Sequence, residues 1–318
     1  MTAPAELLDA ARSGDAGAFE QLVAPYRSEL IAYCYRMLGS LQDAEDVVQE
    51  SLLRAWRNVG RVDERGFVRA WLYKIATNRC LTAIAQRGRR ELPVDVRPGT
   101  APAEVSWLEP YPDVSPETRY ISKESVELAF VAALQHLSAR QRAALILREV
   151  LGFSAAEVAE QLDTTSAAVN SALQRARSAI GTAGPTQQTV LRDLGDDAVR
   201  DIVVRWTNAW EACDVDAIVG LLADDARYSM PPLPAWYRGK DEIRAFLIRG
   251  PLESRWRFLP VAVNGQVAFG TYMWDDAATV YIPGGLDVLT LRGARVAEIT
   301  AFLTADLTRF GLPPRIHG

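Results

Sequence analysis

The feature that most restricts this chain is a change of hydrophobic period along its length. Up to about Ile180, apolar residues recur only at helical spacing, whereas two alternating runs, Arg255 to Val263 and Val267 to Trp274, flank Asn264-Gly265. A strand buries every second residue and a helix every third or fourth, so the two patterns belong to different layers. Asn-Gly suits the positive φ angles of a two-residue hairpin turn. The chain is therefore read as multidomain, with helical modules first and an α+β domain last. Its 318 residues also exceed what one ordinary core organises.

With 49% apolar and 24% charged residues, the composition is that of folded domains, not of a disordered or fibrous chain. No apolar run reaches the roughly 18 to 20 residues of a membrane span, and Met1 to Ser13 lacks a signal peptide's basic start and apolar centre. No membrane association and a cytoplasmic location are expected. Cys34, Cys80 and Cys213 form no Cys-x-x-Cys pair, and His136 and His317 are the only histidines. Neither a disulfide framework nor a metal or other cofactor is expected.

The net charge of −5 hides a strong segregation. Residues 1–50 set nine acids against Arg12, Arg27 and Arg36, while residues 51–90 carry ten Lys or Arg against Asp63 and Glu64. Such a dipolar module suits docking of a protein with one face and nucleic acid with another; solvated helix faces are the plainer explanation. Ser40 is a candidate N-cap, followed by Val48, Leu52, Ala55, Trp56 and Val59 at helical spacing. A second helix is expected from about Phe67 to Gln86. It mixes aromatics with Arg69, Lys74, Asn78 and Arg79, a surface able to hold phosphates and exposed bases. Trp71 at that spacing is read as core. Residues 91–120 hold six prolines and six acids against two arginines, and are read as an extended linker.

Helical pattern resumes at 122–136, 138–150, 154–162 and 166–180. Ser154 and Glu157 have capping-box spacing, and Leu162, a short turn and Val169 follow at helix-turn-helix spacing. Ala159 sits where the helices would cross, with Leu162, Val169 and Leu173 closing a small core. The other face offers Ser166, Ala167, Asn170, Ser171, Gln174, Arg175 and Arg177 to base edges and phosphates. Asp163 stands in the turn where glycine is usual, and aspartate tolerates the left-handed conformation.

Four blocks now add up to a resemblance. The run Asp43 to Glu50 (DAEDVVQE), the run Arg69 to Leu81 (RAWLYKIATNRCL), the segments Leu137 to Arg142 and Leu147 to Phe153, and the helix-turn-helix ending at Arg177 resemble, in order, the extracytoplasmic-function group of the sigma-70 family. The likeness covers about residues 10 to 183. It implies a sigma-2 helical bundle over 10–90, the linker 91–120, and a sigma-4 helix-turn-helix module over 121–183. The implied partners are core RNA polymerase, through its β′ clamp helices and β flap, and promoter DNA. Asp43, Glu45, Asp46, Gln49 and Glu50 match the polymerase-docking segment. Arg61, Arg65, Phe67, Lys74, Asn78 and Arg79 match the segment that melts the minus-10 element and pockets a flipped base, with Asn78 at the base-contact position. The α-helix from Ser166 matches the minus-35 reader. In similar factors the linker threads the polymerase active-site channel; a simple tether is the alternative.

After a second linker, expected at 184–195, residues 196–318 resemble the NTF2-like, SnoaL-type cone. The likeness rests on Trp206 to Trp210, Asp224 to Tyr228, Trp236 to Gly239 and Asp241 to Phe246. Helices are expected at 197–212, 214–222 and 240–247, then a curved antiparallel sheet with further strands at 279–282, 286–291 and 296–303. Tyr228, Trp236, Tyr237, Phe258 and Trp274 are candidates for a binding pocket, or simply for the core. Asp275, Asp276 and Asp287 are conceivable acids or bases, but no histidine accompanies them and Asp275-Asp276 reads as a turn, so catalysis is not expected. A minority of these sigma factors carry such an extension, which implies a regulatory role through contact with the sigma modules. The alternative reading is a helix-turn-helix regulator with a ligand-sensing or vestigial enzymatic cone.

Overall fold

The computed structural model describes residues 4–62, 68–87, 90–91, 106–113, 126–180 and 185–317. They fall into two compact units: one of helices from 1–90 and 129–182, the other from 91–119, 126–128 and 183–318.

In the helical unit, α1 (Pro4–Arg12), α2 (Ala16–Val23), α3 (Arg27–Leu38), α4 (Leu41–Arg57) and α5 (Val68–Arg87) form a bundle. Helix α3 is its centre, with Leu30, Ala32, Tyr33, Cys34, Tyr35 and Met37 all fully buried. A helix apolar on most sides can only be interior. Ser40 caps α4 by accepting a hydrogen bond from the Asp43 N–H at 3.1 Å. Leu41, Ala44, Val47, Val48, Leu52 and Ala55 then bury one face of α4. On α5 the expected order is partly reversed: Tyr73 is fully buried while Trp71 is only half-buried. Tyr73 has a polar partner inside the bundle, donating to the Glu29 carboxylate at 3.2 Å, and a buried tyrosine needs one.

The same unit continues through α6 (Leu128–Gln135), α7 (Ala139–Leu145), a π-helical turn at Ile146–Val150, α8 (Ala155–Gln161) and α9 (Ser166–Ile180). The capping box is present in full: Ser154 N–H donates to Glu157 at 2.7 Å, and Glu157 N–H donates to Ser154 Oγ at 3.2 Å. Ala159, Leu162, Val169 and Leu173 are buried between α8 and α9, as the spacing predicts. Asp163 makes the turn at φ 47°.

The second unit contains α10 (Gln187–Leu194), α11 (Asp196–Glu211), α12 (Val215–Leu221) and α13 (Gly239–Ile248). Its strands are β1 (Leu222–Ser229), β2 (Trp236–Arg238), β3 (Trp256–Val263), β4 (Gln266–Asp275), β5 (Val280–Arg292), β6 (Arg295–Phe302) and β7 (Ile316–His317). The sheet order is β2-β1-β6-β5-β4-β3, with β7 also on β5. Asn264 and Gly265 adopt φ 54° and 68°, the hairpin turn expected.

Four expectations are corrected. The sheet is not wholly antiparallel, because β1 and β6 run parallel. The two strands expected at 279–282 and 286–291 are one, since a register shift opposite Thr271/Tyr272 lets β5 bend without ending. Gly285 takes φ 151° there, and a Cβ on Gly284 would stand 2.5 Å from the Trp256 ring. Residues 184–195 are not a linker but carry α10, whose Gln187 exchanges hydrogen bonds with the Leu291 backbone at 2.9 and 2.7 Å. Part of the linker 91–120 is likewise no free tether: Leu108 and Tyr111 are buried within the cone unit.

Candidate nucleic-acid interface

The face of α9 follows from its burial stripe. Because Val169, Leu173 and Ala176 turn inward, Ser166, Ala167, Asn170, Ser171, Gln174, Arg175 and Arg177 are all exposed. Thr165 caps the helix, its Oγ1 accepting from Ala168 N–H at 3.2 Å. Arg177 is drawn aside by Glu149 at 2.5 Å, whereas Arg175 is exposed beside Gln174. All seven residues predicted for the reader are thus brought to one surface.

The minus-10 set is less uniform. Arg61 and Asn78 are exposed, and Arg65 and Phe67 lie outside the described residues. Arg79 turns toward α4 and donates to Glu50 at 2.6 Å. Lys74 donates to Asp163 Oδ1 at 3.0 Å and to the Glu160 carbonyl at 3.1 Å. Its neighbour Arg69 stacks over Phe153 and Tyr73, 4.7 and 5.2 Å from the ring centroids. Arg69 also donates to the Leu151 carbonyl at 3.3 Å.

On α4 the docking candidates divide. Glu45, Asp46 and Gln49 are exposed, opposite the buried stripe. Asp43 is 8% exposed and is held by Arg90 at 2.7 Å, so it braces the module. Glu50 is half-buried; burial raises its pKa, but hydrogen bonds from Arg79 and Arg54 outweigh that and leave it lowered. Arg142, singled out only as part of a motif, is buried and donates to the Met37 and Gln135 carbonyls, fastening α7 onto the bundle.

The cone gathers some of its predicted pocket residues. Tyr228 and Phe258 are core, and Tyr237 stacks on Phe246 at 4.3 Å beside them. Trp236 is half-buried on β2. Trp274 is not with this group but packs on Tyr281 at 4.9 Å, under Arg255. Asp275 makes the expected turn, accepting from Ala277 and Ala278 N–H at 2.9 and 3.1 Å. Asp287 is 3% exposed, and burial pushes its carboxyl up to about 7.

The hairpin turn also has a use that sequence reasoning missed. Asn264 Oδ1 accepts from Tyr111 N–H at 2.8 Å, and Asn264 N–H donates to the Tyr111 carbonyl at 2.9 Å. Asn264 Nδ2 donates to the Val126 carbonyl at 2.6 Å, Gly265 N–H to Asp113 Oδ2 at 2.7 Å, and Leu128 N–H to Gln266 Oε1 at 3.0 Å. Glu127 accepts from the N–H groups of Gln187 and Gln188, both at 2.9 Å. One turn and the start of α10 therefore hold Tyr111 and Asp113 of the inter-module segment and residues 126–128 at the start of α6. No local pattern marks partners 138 and 153 residues apart.

A helix-turn-helix with an exposed polar face, a helical bundle with an exposed acidic face on α4, and a fused cone define a modular nucleic-acid-binding factor of transcription. The sequence matches the families described as Sigma-70 region 2 over residues 22–90, Sigma-70 region 4 over 127–180, and SnoaL-like domain over 203–299. It is 45% identical over 314 residues to the ECF RNA polymerase sigma factor SigG of Mycobacterium tuberculosis H37Rv, covering 93% of this chain and 84% of the relative. A second relative, SigJ of the same organism, is 30% identical over 70% of each chain. The crystal structure of SigJ superposes with a TM-score of 0.62 at 25% identity, covering 93% of this chain and 99% of that one. The chain belongs to the extracytoplasmic-function sigma factors of RNA polymerase and carries a SnoaL-like domain. Among the described residues no helix is long and apolar enough to cross a membrane.

Proposed function

We propose that this sigma factor docks on the β′ clamp helices of core polymerase through Glu45, Asp46 and Gln49, and on the β flap through its sigma-4 module. The exposed face of α9 reads the minus-35 element, and Arg61, Arg65, Phe67, Lys74, Asn78 and Arg79 capture the melted minus-10 strand. Binding energy drives opening: extruding a base costs a few kcal/mol, which a basic, aromatic pocket offsets. Such a factor works in the cytoplasm and without a cofactor.

The cone regulates rather than catalyses. Its hairpin holds residues 108–113, the segment that in similar factors runs through the polymerase channel, so channel entry requires the cone to let go. The single observation that carries the whole reading is the α9 face, where every predicted reader residue is exposed while Val169, Leu173 and Ala176 are buried.

Run-off transcription with purified core polymerase tests it, comparing the full chain, a chain ending at residue 183, and Asp46→Arg. The boundary is 183 because α10 belongs with the cone. The full chain and the truncation should start at the same site at different levels, and Asp46→Arg should neither co-purify with core nor initiate. Unchanged co-purification of Asp46→Arg overturns the docking face; a shifted start site in the truncation overturns a purely regulatory cone.

A further inference from the structure

Asp163 stands where a helix-turn-helix usually has glycine, and its left-handed φ of 47° would be most easily met by glycine. The side chain kept at that position is the one bound to Lys74, at 3.0 Å, while Lys74 also donates to the Glu160 carbonyl at 3.1 Å. An anionic oxygen and a carbonyl oxygen on one ammonium reproduce what a phosphate and a sugar or base oxygen would offer it. The neighbouring turn of α5 is engaged by the same module, with Arg69 over Phe153 and bonded to Leu151.

The contact is incompatible with full promoter engagement. Elements centred ten and thirty-five base pairs upstream are about 25 pairs apart, roughly 85 Å of B-form DNA at 3.4 Å per step. The reader helix begins only three residues after Asp163, at most about 11 Å of chain, so its N-terminus lies beside the helix that should be on the other element. We infer that Asp163 is an internal phosphate mimic: it occupies Lys74 in the free factor and surrenders it when polymerase and promoter draw the two modules apart. This rests on Lys74 being a DNA contact, and the test separates the two claims. With side chains 39% and 70% exposed, the ion pair is a weak latch. It opens readily and biases, without blocking, the exchange for DNA.

The full chain is compared with Asp163→Asn, Lys74→Ala and the double variant. Asparagine keeps the left-handed turn, and both sites are solvent-accessible, so folding is retained. Two readouts are used: the rate of Lys74 acylation by acetic anhydride, followed by mass spectrometry, and anisotropy binding of a labelled twelve-nucleotide oligothymidylate at low salt. Asp163→Asn should speed Lys74 acylation and tighten oligonucleotide binding roughly two- to fivefold, the range an exposed pair can supply. Lys74→Ala should weaken binding, and on that background Asp163→Asn should gain nothing beyond general charge. Unchanged Lys74 acylation in Asp163→Asn overturns the latch itself. So does an equal gain in affinity with or without Lys74. Faster acylation combined with unaltered oligonucleotide binding by Lys74→Ala leaves a latch that guards no DNA contact, which overturns the mimic by way of the underlying reading.

Discussion

Arg175 is the long donor best placed on α9 for a base edge, since Arg177 on the same helix is paired with Glu149 at 2.5 Å. If Arg175 makes a bidentate base contact, Arg175→Ala should weaken promoter-fragment binding by about 1 to 3 kcal/mol and relax sequence preference at one position. Competition binding against a fragment library reads both effects; an unaltered affinity and preference removes Arg175 from recognition. Residues like this one were legible in the sequence because a helix exposes whatever its buried stripe does not, and that stripe was plain. Asp43 and Arg79 were not legible in the same way. Both lie on faces the pattern leaves polar, yet each is taken up by an opposite charge brought near only by the bundle, Asp43 by Arg90 and Arg79 by Glu50. Periodicity reports which side of a helix is wet, not which polar groups on it already have partners.

At the scale of elements, the box at the start of α8 sets where the helix-turn-helix begins. Glu157 is held below the usual carboxylate range by hydrogen bonds from the Ser154 side chain and backbone. A depressed acid contributes stability that is complete above its unfolded pKa and is lost as pH falls through the folded value. Protection of the α8 amides against hydrogen exchange, corrected for intrinsic rates, should therefore fall as pH drops below about 4. Ser154→Ala should cost about 1 kcal/mol at neutral pH and flatten that pH dependence. Protection indifferent to both changes would mean that packing alone defines the helix start. Caps of this kind were legible because their residues are three apart. Sequence pattern does not reveal helix α10, because it is eight residues long, bounded by Pro185 and Gly195, and buries Gln187, a polar side chain satisfied only by a distant strand. The unity of strand β5 is hidden for a related reason: Pro283-Gly284-Gly285 has the pattern of a break, yet in the fold Thr271 Oγ1 donates to the Gly285 carbonyl at 3.1 Å.

At the scale of the molecule, the decisive contact joins segments that no local rule relates. Asn264-Gly265 announces a hairpin, and the same residues that shape the turn bind Tyr111 and Asp113 of the inter-module segment and Val126 just before α6. The turn and the grip can be separated, because glycine satisfies the φ of 54° at position 264 without the side-chain amide. Asn264→Gly should therefore leave β3 and β4 protected from hydrogen exchange while releasing the Tyr111 amide, which loses its 2.8 Å acceptor. Two hydrogen bonds of the buried Asn264 side chain are lost, to Tyr111 and Val126, and at about 1 kcal/mol each exchange at Tyr111 should quicken by roughly tenfold or more. Pro110 and Tyr111 are buried beside this grip, and the main-chain bond from position 264 to the Tyr111 carbonyl survives the substitution, so the segment should loosen at the Tyr111 amide without being freed. If Tyr111 exchanges no faster in Asn264→Gly, the side-chain amide does not hold the segment, and a cone that controls polymerase by opening that side-chain grip would have to be abandoned.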